Sequence, residues 1–219
     1  MLTSFTVYGE RCSGTNFLEK AIEENFYLEL TWDYDFKHWF GNYEFENNVK
    51  EAQTLFLGII RNPITWLDSF YKAPHYLPIL NKKNIKNFLF NECYSFDETK
   101  NKEINIDKNL LTKKKYKNIF ELRYIKNNYL IREIPKKVKN YLLLRYEDLN
   151  DNYDLILSFI EKKFNLKRKH KDFKKIINYK GENDNILFKK KNITLDQKTI
   201  YQIIENLNKN QENELGYDL

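Results

Sequence analysis

The pattern of hydrophobic and polar positions predicts an alternation of buried strands and amphipathic helices along this chain. Residues 5–8 form a short apolar run, and the apolar positions of residues 14–26 then recur at helical spacing. Residues 54–60 and 141–145 are nearly continuous apolar runs, which is typical of central strands that are covered on both faces. Residues 27–32 alternate like a further strand. Strands that alternate with helices favour βαβ units and a mostly parallel sheet.

Local signals mark where several helices begin. Pro63 directly follows the apolar run at 54–60 and predicts a helix through about Lys72. Another helix is expected from about Tyr153 to Phe164. Residues 194–197, Thr-Leu-Asp-Gln, have the pattern of a capping box and predict that Thr194 caps a last helix.

The periodicity weakens between about residues 75 and 139, where the chain becomes rich in lysine and asparagine. We expect this segment to be a largely helical insertion over one edge of the sheet, with helices near residues 85–91 and 116–132. No repeat and no flexible linker interrupts the sequence. Residues 1–219 are therefore expected to form one α/β domain, a three-layer sandwich with a mostly parallel central sheet.

The composition narrows the class of protein. A hydrophobic content of 42% and an aromatic content of 16% predict a packed globule rather than a disordered chain. The formal charge of +6 favours anionic partners, although a compositional bias toward lysine, asparagine and isoleucine is the alternative explanation. Only Cys12 and Cys93 are present, and there is no signal peptide and no membrane-spanning run, so we expect a cytoplasmic protein.

The turn after the first strand carries the candidate chemistry. Gly9 and Gly14 have the glycine spacing of a Walker phosphate loop, but Thr15 stands where the lysine belongs. Asn16 likewise replaces the Mg²⁺-binding hydroxyl residue. A strand that ends in a tight turn before a helix still offers backbone N–H groups and the helix dipole to an anion. The loop is therefore expected to bind an anion without the Walker residues.

Three separated motifs resemble the sulfotransferase family, which takes a sulfonate group from 3′-phosphoadenosine 5′-phosphosulfate (PAPS). Residues 11–17, Arg-Cys-Ser-Gly-Thr-Asn-Phe, are similar to the family's 5′-phosphosulfate loop. Arg61 at a strand end, with Ser69 eight residues later, is similar to the 3′-phosphate motif. Residues 146–149, Tyr-Glu-Asp-Leu, match the end of a further family strand.

The resemblance implies a P-loop NTPase-like core and a set of donor-binding residues. The loop N–H groups and the Ser13 and Thr15 hydroxyls would hold the 5′-phosphate, and Arg61 and Ser69 the 3′-phosphate. Tyr146 would lie against the adenine, or would serve only as a packing tyrosine. The implied set comprises Arg11, Cys12, Ser13, Gly14, Thr15, Asn16, Arg61, Ser69, Tyr146 and a remnant of the segment that closes over the 3′-phosphate, Lys180 and Gly181.

The main departure from the family pattern is Cys12, which occupies the position of the loop lysine. Arg11 and Lys37 are the candidate replacements for its positive charge. Residues 35–41 resemble a segment of the glycan-modifying branch in which a glutamate is the catalytic base, and His38 takes that position. Histidine is the base of the cytosolic branch, and an unperturbed imidazole pKa near ~6.5 suits that role. A packing histidine beside Trp39 is the alternative.

The resemblance predicts a sulfotransferase that moves a sulfonate group from PAPS to a hydroxyl or amine acceptor and releases adenosine 3′,5′-bisphosphate (PAP). A glycan is the favoured acceptor, but phenols, protein tyrosine and lipids stay open, as does the oligomeric state. No histidine or cysteine spacing indicates a metal site, and no signature indicates nucleic-acid binding. The alternatives are a P-loop kinase-like phosphotransferase and a degenerate, non-catalytic nucleotide-binding protein.

Overall fold

The fold is described by a computed structural model that covers residues 1–180, 186–187 and 192–219. Its strands are β1 (Ser4–Tyr8), β2 (Glu29–Leu30), β3 (Thr54–Ile60), β4 (Phe96–Asp97), β5 (Lys102–Glu103), β6 (Tyr141–Arg145), β7 (Asn178–Lys180) and β8 (Ile186–Leu187). Its helices are α1 (Thr15–Asn25), α2 (Val49–Ala52), α3 (Pro63–Lys72), α4 (Ile79–Lys82), α5 (Ile85–Phe90), α6 (Ile119–Asn128), α7 (Ile134–Lys137), α8 (Tyr146–Asp151), α9 (Tyr153–Phe164), α10 (Gln197–Asn206) and α11 (Lys209–Glu214). A π-helical turn, Tyr129–Glu133, joins α6 to α7.

Four strands form a parallel sheet in the order β2-β1-β3-β6. Strands β4 and β5 form a separate antiparallel pair, and so do β7 and β8. The predictions of an α/β fold and of a mostly parallel central sheet are therefore confirmed. The carboxyl ends of β1 and β3 lead directly into the loops that precede α1 and α3. This arrangement brings the two sequence motifs of those loops to one edge of the sheet.

Side chains of β3 alternate between two hydrophobic clusters, as the pleat of a strand requires. Leu55, Leu57 and Ile59 belong to the cluster that includes buried residues of α1 and α9. Phe56 and Ile60 belong to a second cluster that includes residues of the π-helical turn. Helices therefore cover both faces of the sheet, which is compatible with a three-layer sandwich. Within the described ranges, no helix is long and apolar enough to cross a membrane.

Strands β3 and β6 and helices α3 and α9 have the predicted bounds, whereas β2 is shorter than the predicted strand at 27–32. The Thr31 N–H still donates to the Phe5 carbonyl of β1 at 2.9 Å, and the chain then leaves the ladder because Thr31 and Asp33 form a local turn. The Thr31 hydroxyl donates to Asp33 Oδ2 at 2.7 Å, and the Asp33 N–H donates back to Thr31 Oγ1 at 3.3 Å. Polar side chains that bond nearby backbone in this way compete with strand pairing.

The capping-box prediction for Thr194 is wrong. Helix α10 begins at Gln197, and the Asp196 side chain accepts the Thr199 N–H at 2.8 Å, so Asp196 is the N-cap. The Thr194 N–H and hydroxyl instead both donate to Asp68 Oδ1 of α3, each at 2.9 Å. Aspartate caps at least as well as threonine, and Thr194 is left to tie the chain before α10 to α3.

The segment between residues 75 and 139 contributes to the core as well as to the surface. It contains α4 to α7 and the π-helical turn, and α5 and α6 lie where helices were expected near residues 85–91 and 116–132. It also contains the β4–β5 pair, which the sequence pattern does not predict. Phe88 of α5 and Leu122 of α6 are fully buried in one cluster with Trp66 and Phe70 of α3. Lys126 of α6 also reaches the loop that follows β1, where its Nζ lies 3.0 Å from Glu10 Oε2.

Candidate active site

The loop between β1 and α1 depends on two residues with left-handed backbone. Cys12 has φ of 63° and Gly14 has φ of 103°. A Cβ atom at Gly14 would lie 2.5 Å from Cδ2 of Tyr146, so this position requires glycine for space as well as for conformation. The Ser13 N–H closes the turn by donating to the Glu10 carbonyl at 3.0 Å. The loop therefore presents the first N–H groups of α1, which have no partner inside the helix.

The side chains of the loop differ in what they can offer to a ligand. The Ser13 hydroxyl is buried and has no hydrogen-bond partner among the described residues. Thr15 is buried at the first position of α1, and Asn16 is exposed at the second. A buried hydroxyl without a partner is costly unless a ligand or a water satisfies it. Ser13 is therefore the loop side chain best suited to contact a bound anion.

Arg61 reaches from the end of β3 to the loop. Its Nη1 donates to the Cys12 carbonyl and its Nε to Thr65 Oγ1, each at 3.1 Å. The guanidinium carbon lies 4.8 Å from the ring centroid of Tyr146, which adds a cation–π contact. Within the described part of the chain, Nη2 makes no hydrogen bond, and the residue is half-buried. Arg61 therefore keeps donor capacity for an anion beside the loop.

Helix α3 continues this surface. Thr65 and Ser69 lie four residues apart and are both half-buried, so they share one face of the helix. Thr65 is a site residue that the sequence reasoning missed, although its spacing of four from both Arg61 and Ser69 could have indicated it. Ser69 makes no hydrogen bond to Arg61. Thr65 lies between them, since its hydroxyl accepts from Arg61 Nε and it shares a helix face with Ser69.

A second layer holds the start of α3 in place. Glu147 Oε1 accepts the Asn62 N–H at 2.9 Å, and Glu147 Oε2 accepts the Tyr217 hydroxyl at 3.0 Å. The Asn62 side chain in turn caps α3 by accepting the N–H groups of Ile64 and Thr65. Because Asn62 directly follows Arg61, these bonds fix the backbone from which the guanidinium extends.

Arg11 lies inside the protein, and its side chain is fully buried. Nε donates to Glu10 Oε1 at 2.7 Å, and Nη1 donates to Ser95 Oγ and to the Tyr76 carbonyl, both at 3.0 Å. Nη2 lies 3.7 Å from Asp107 Oδ2. The guanidinium therefore has no exposed surface to offer to a ligand, and of the two candidate replacements for the loop lysine only Lys37 is accessible.

Lys126 completes a buried charge network around Arg11. Its Nζ lies 2.6 Å from Asp107 Oδ1 and 3.0 Å from Glu10 Oε2, and it also donates to the His38 carbonyl at 2.5 Å. Burial lowers the pKa of a lysine, but the Asp107 and Glu10 carboxylates outweigh it and raise the pKa of Lys126. The network balances two cations against two carboxylates, and it fixes the backbone of both the loop and His38.

His38 is buried, and its Nδ1 lies 2.7 Å from the Gly9 carbonyl oxygen. Because a carbonyl only accepts, Nδ1 carries the proton and Nε2 is left as the acceptor. Burial lowers the pKa of His38 to about 3, although the nearby Glu10 carboxylate opposes this shift. The imidazole is therefore neutral through the physiological range, with one fixed tautomer.

Lys37 lies over the first turns of α1. Its Nζ is 2.8 Å from Asn16 Oδ1 and 2.8 Å from Glu19 Oε2. The Lys37 carbonyl accepts the Gly9 N–H at 3.0 Å, so the backbone at Lys37 is anchored to the start of the loop. The structure thus brings Lys37, Asn16 and His38 to one side of the loop, and Arg61, Cys12 and Tyr146 to the other.

A half-exposed group of aromatic rings borders the Lys37 and His38 side. The ring centroids of Trp32 and Phe36 are 5.5 Å apart, those of Phe36 and Trp39 are 4.7 Å apart, and those of Trp39 and Tyr76 are 5.7 Å apart. Trp32 and Tyr76 are 43% and 40% exposed, so this group forms an accessible wall beside His38. Flat apolar rings of this kind suit the face of a sugar or phenol ring.

A cavity of about 310 Å³ lies on the other flank of α1. It is lined by Phe17 of α1, by the junction between α8 and α9 that includes Tyr153, and by Lys175, Ile176 and Ile177. This volume lies at the lower end of the range for ligand pockets. Because Phe17 is two residues after Thr15, a ligand held by the loop could extend into this cavity.

Two of the predicted donor-binding residues, Lys180 and Gly181, are not brought to the loop by any contact described above. Lys180 is the last residue of β7, and Gly181 lies outside the described residues. Among the described residues, no cluster of three histidine, cysteine or acidic side chains forms a metal site.

The chain matches no protein-family model and no curated protein.

Proposed function

We propose that this protein is a sulfotransferase that takes its sulfonate group from PAPS. The observation that carries the proposal is the contact between Arg61 and the loop, because it joins two anion-binding elements. The guanidinium donates to the Cys12 carbonyl at 3.1 Å and keeps donor capacity near Ser13, whose buried hydroxyl has no hydrogen-bond partner among the described residues. A ligand with two separate phosphate-like groups would satisfy both elements at once.

The residues fit a nucleotide that carries a 3′-phosphate and a 5′-phosphosulfate. The loop N–H groups with Ser13 and Thr15 would hold the 5′ group at the start of α1, and Arg61 with Thr65 and Ser69 the 3′-phosphate. The base would enter the 310 Å³ cavity that Phe17 borders. Tyr146 then has a packing role, since its ring contacts Gly14 and Arg61.

His38 and Lys37 are assigned to the acceptor side of the reaction. Nε2 of His38 is the atom that would take the proton of an acceptor hydroxyl or amine, since Nδ1 is bonded to Gly9. An imidazole with a pKa of about 3 is weakly basic, so it accepts the proton late, when bond formation has acidified the acceptor. The resulting imidazolium would be stabilised by the Glu10 carboxylate, which already raises the pKa of His38. Lys37 supplies positive charge at the loop.

The nucleotide class is tested by thermal unfolding in the presence of PAP, ADP or ATP. We expect PAP to raise the melting temperature, with ADP and ATP giving clearly smaller shifts, because only PAP has a group for Arg61 and a group for the loop. Transfer of sulfonate from labelled PAPS to a panel of glycans and phenols should persist in EDTA. A preference for ATP with a requirement for Mg²⁺ would instead indicate the phosphotransferase.

Replacing His38 by alanine is expected to lower the rate of sulfonate transfer by a factor of about 10²–10⁴, while PAP affinity stays within about threefold of the wild type. The reason is that His38 lies on the acceptor side, away from Arg61. Calorimetric titration with PAP and initial rates of transfer measure the two effects. His75→Ala is the matched control, since His75 is exposed and its ring centroid is 6.4 Å from that of His38. Unchanged turnover in His38→Ala would remove His38 from the mechanism.

A wild-type protein that binds PAP but transfers no sulfonate to any acceptor would identify the non-catalytic nucleotide-binding protein. That outcome would retain the binding half of the proposal and discard the catalytic half.

A further inference from the structure

Glu19 is a buried carboxylate in α1 that the resemblance does not assign. Its side chain is only 9% exposed, and Oε2 lies 2.8 Å from Lys37 Nζ. Oε1 is buried and has no hydrogen bond among the described residues. Burial raises the pKa of Glu19, and the contact with Lys37 opposes that shift. A carboxylate is costly to bury, and here the bound ammonium offsets the cost.

The position of Glu19 determines where the Lys37 ammonium lies. Asn16 and Glu19 are three residues apart, so they project from the same face of α1. Both accept from Nζ at 2.8 Å, which holds the ammonium above the first turns of the helix. An ammonium has three N–H donors, and Asn16 and Glu19 account for two of them among the described residues. The third makes no hydrogen bond among the described residues, and Nζ also lies 5.3 Å from the ring centroid of Trp32 and 5.9 Å from that of Phe36.

Without the contacts to Asn16 and Glu19, Lys37 would be a poor substitute for the loop lysine that Cys12 replaces. Its four-carbon stem has high conformational entropy, and its ammonium is strongly hydrated. Lys37 is 14% exposed and therefore close to water that competes for its donors. Holding the ammonium in place before the ligand arrives lowers the free energy that must be spent on ordering it.

We propose that Glu19 is a positioning residue that holds the Lys37 ammonium at the start of α1, so that Lys37 replaces the charge missing at Cys12. This inference rests on the proposed sulfotransferase function. Glu19 itself does not touch the donor or the acceptor. It acts only through Lys37, so its removal should affect the transition state, where charge develops on the departing phosphate, more than donor binding.

A double-mutant cycle on the full chain tests this inference. Glu19→Gln keeps the shape of the side chain and removes its charge, and it should lower kcat about tenfold while KM for PAPS stays within about twofold. Lys37→Met should lower kcat by more. In the Lys37→Met background, Glu19→Gln should have no further effect, because its effect is transmitted through Lys37. Glu23→Gln removes the same charge one helical turn later and should leave kcat unchanged.

A second measurement does not depend on turnover. Site-resolved acylation of lysines in the free protein should modify Lys37 slowly in the wild type and several-fold faster in Glu19→Gln, because the ammonium is released to solvent. Equal Lys37 acylation rates in the two proteins would overturn the positioning role. If acylation behaves as expected but the wild type neither binds PAP nor transfers sulfonate, the proposed function fails and Glu19 is a purely structural partner. Additive kcat effects in the cycle would also overturn the inference.

Discussion

Replacing Lys126 by methionine is expected to lower the free energy of unfolding by about 3–5 kcal/mol. The substitution keeps most of the side-chain volume but leaves the buried carboxylates of Glu10 and Asp107 with one cation instead of two. It also removes a hydrogen bond to the His38 carbonyl. Urea denaturation followed by tryptophan fluorescence would measure the change. Since the network lies beneath the loop, PAP affinity should fall as well.

Two further variants make the electrostatic origin testable. Lys136→Met removes a lysine that is 70% exposed, and its effect should stay within about 0.5 kcal/mol. The double variant Lys126→Met/Asp107→Leu removes one charge of each sign and leaves Arg11 paired with Glu10. It should be more stable than Lys126→Met alone, because no carboxylate is then left without a cation. Equal stability of the single and double variants would contradict a charge-based explanation.

Replacing Arg61 by alanine is expected to weaken PAP binding about 10- to 100-fold. A hydrogen bond to a charged group contributes about 1.5–3 kcal/mol, and the variant also loses the bond that supports the Cys12 carbonyl. Calorimetric titration with PAP measures the loss, and sulfonate transfer at low PAPS concentration should fall in parallel. The free energy of unfolding should change much less than in Lys126→Met, since Arg61 is only half-buried.

Arg61→Lys and Arg132→Ala complete this comparison. Lysine keeps the charge but cannot bond the Cys12 carbonyl and Thr65 as a planar fork does, so an intermediate affinity is expected. Arg132 is 46% exposed and pairs with Glu214, so its loss should leave PAP affinity unchanged. If Arg61→Ala bound PAP as well as Arg132→Ala does, the 3′-phosphate would have to be assigned to another group.

Strand β3 was predictable from sequence because it is buried on both faces. Residues 54–60 are apolar apart from Thr54 and Gly58, and residues 141–145 are apolar until Arg145. The apolar run at 141–145 predicted a central strand, which is wrong: among the described strands β6 pairs only with β3, and most of its residues are half-buried. The β4–β5 pair could not be predicted, since each of its strands has two residues and neither shows an alternating pattern. Strand β2 was overestimated for a related reason, because the Thr31–Asp33 turn depends on side-chain bonds that hydrophobicity does not report.

The sequence predicted those parts of the site whose residues lie close together along the chain. The loop at 11–17 and the pair of Arg61 and Ser69 each lie beside a predicted strand end, and parallel strands bring such ends together. The environment of Arg11 was not predictable, because its partners Ser95 and Asp107 lie more than eighty residues away. The Glu19–Lys37 contact joins a helix to the segment after β2, and only the folded backbone shows that the two side chains meet.

The network of Glu10, Arg11, Asp107 and Lys126 determines when, during synthesis, the loop between β1 and α1 can begin to bind a nucleotide. Strand β1 and helix α1 are synthesised before Ser95, Asp107 and α6, so the Arg11 guanidinium beneath their loop at first has neither Asp107 nor Ser95 as a partner. At about 5–20 residues per second, Lys126 follows Arg11 on the order of ten seconds later. During that interval the nascent loop carries an incompletely paired charge and has to remain solvated. A nascent chain stalled before α6 should therefore be unable to retain a nucleotide.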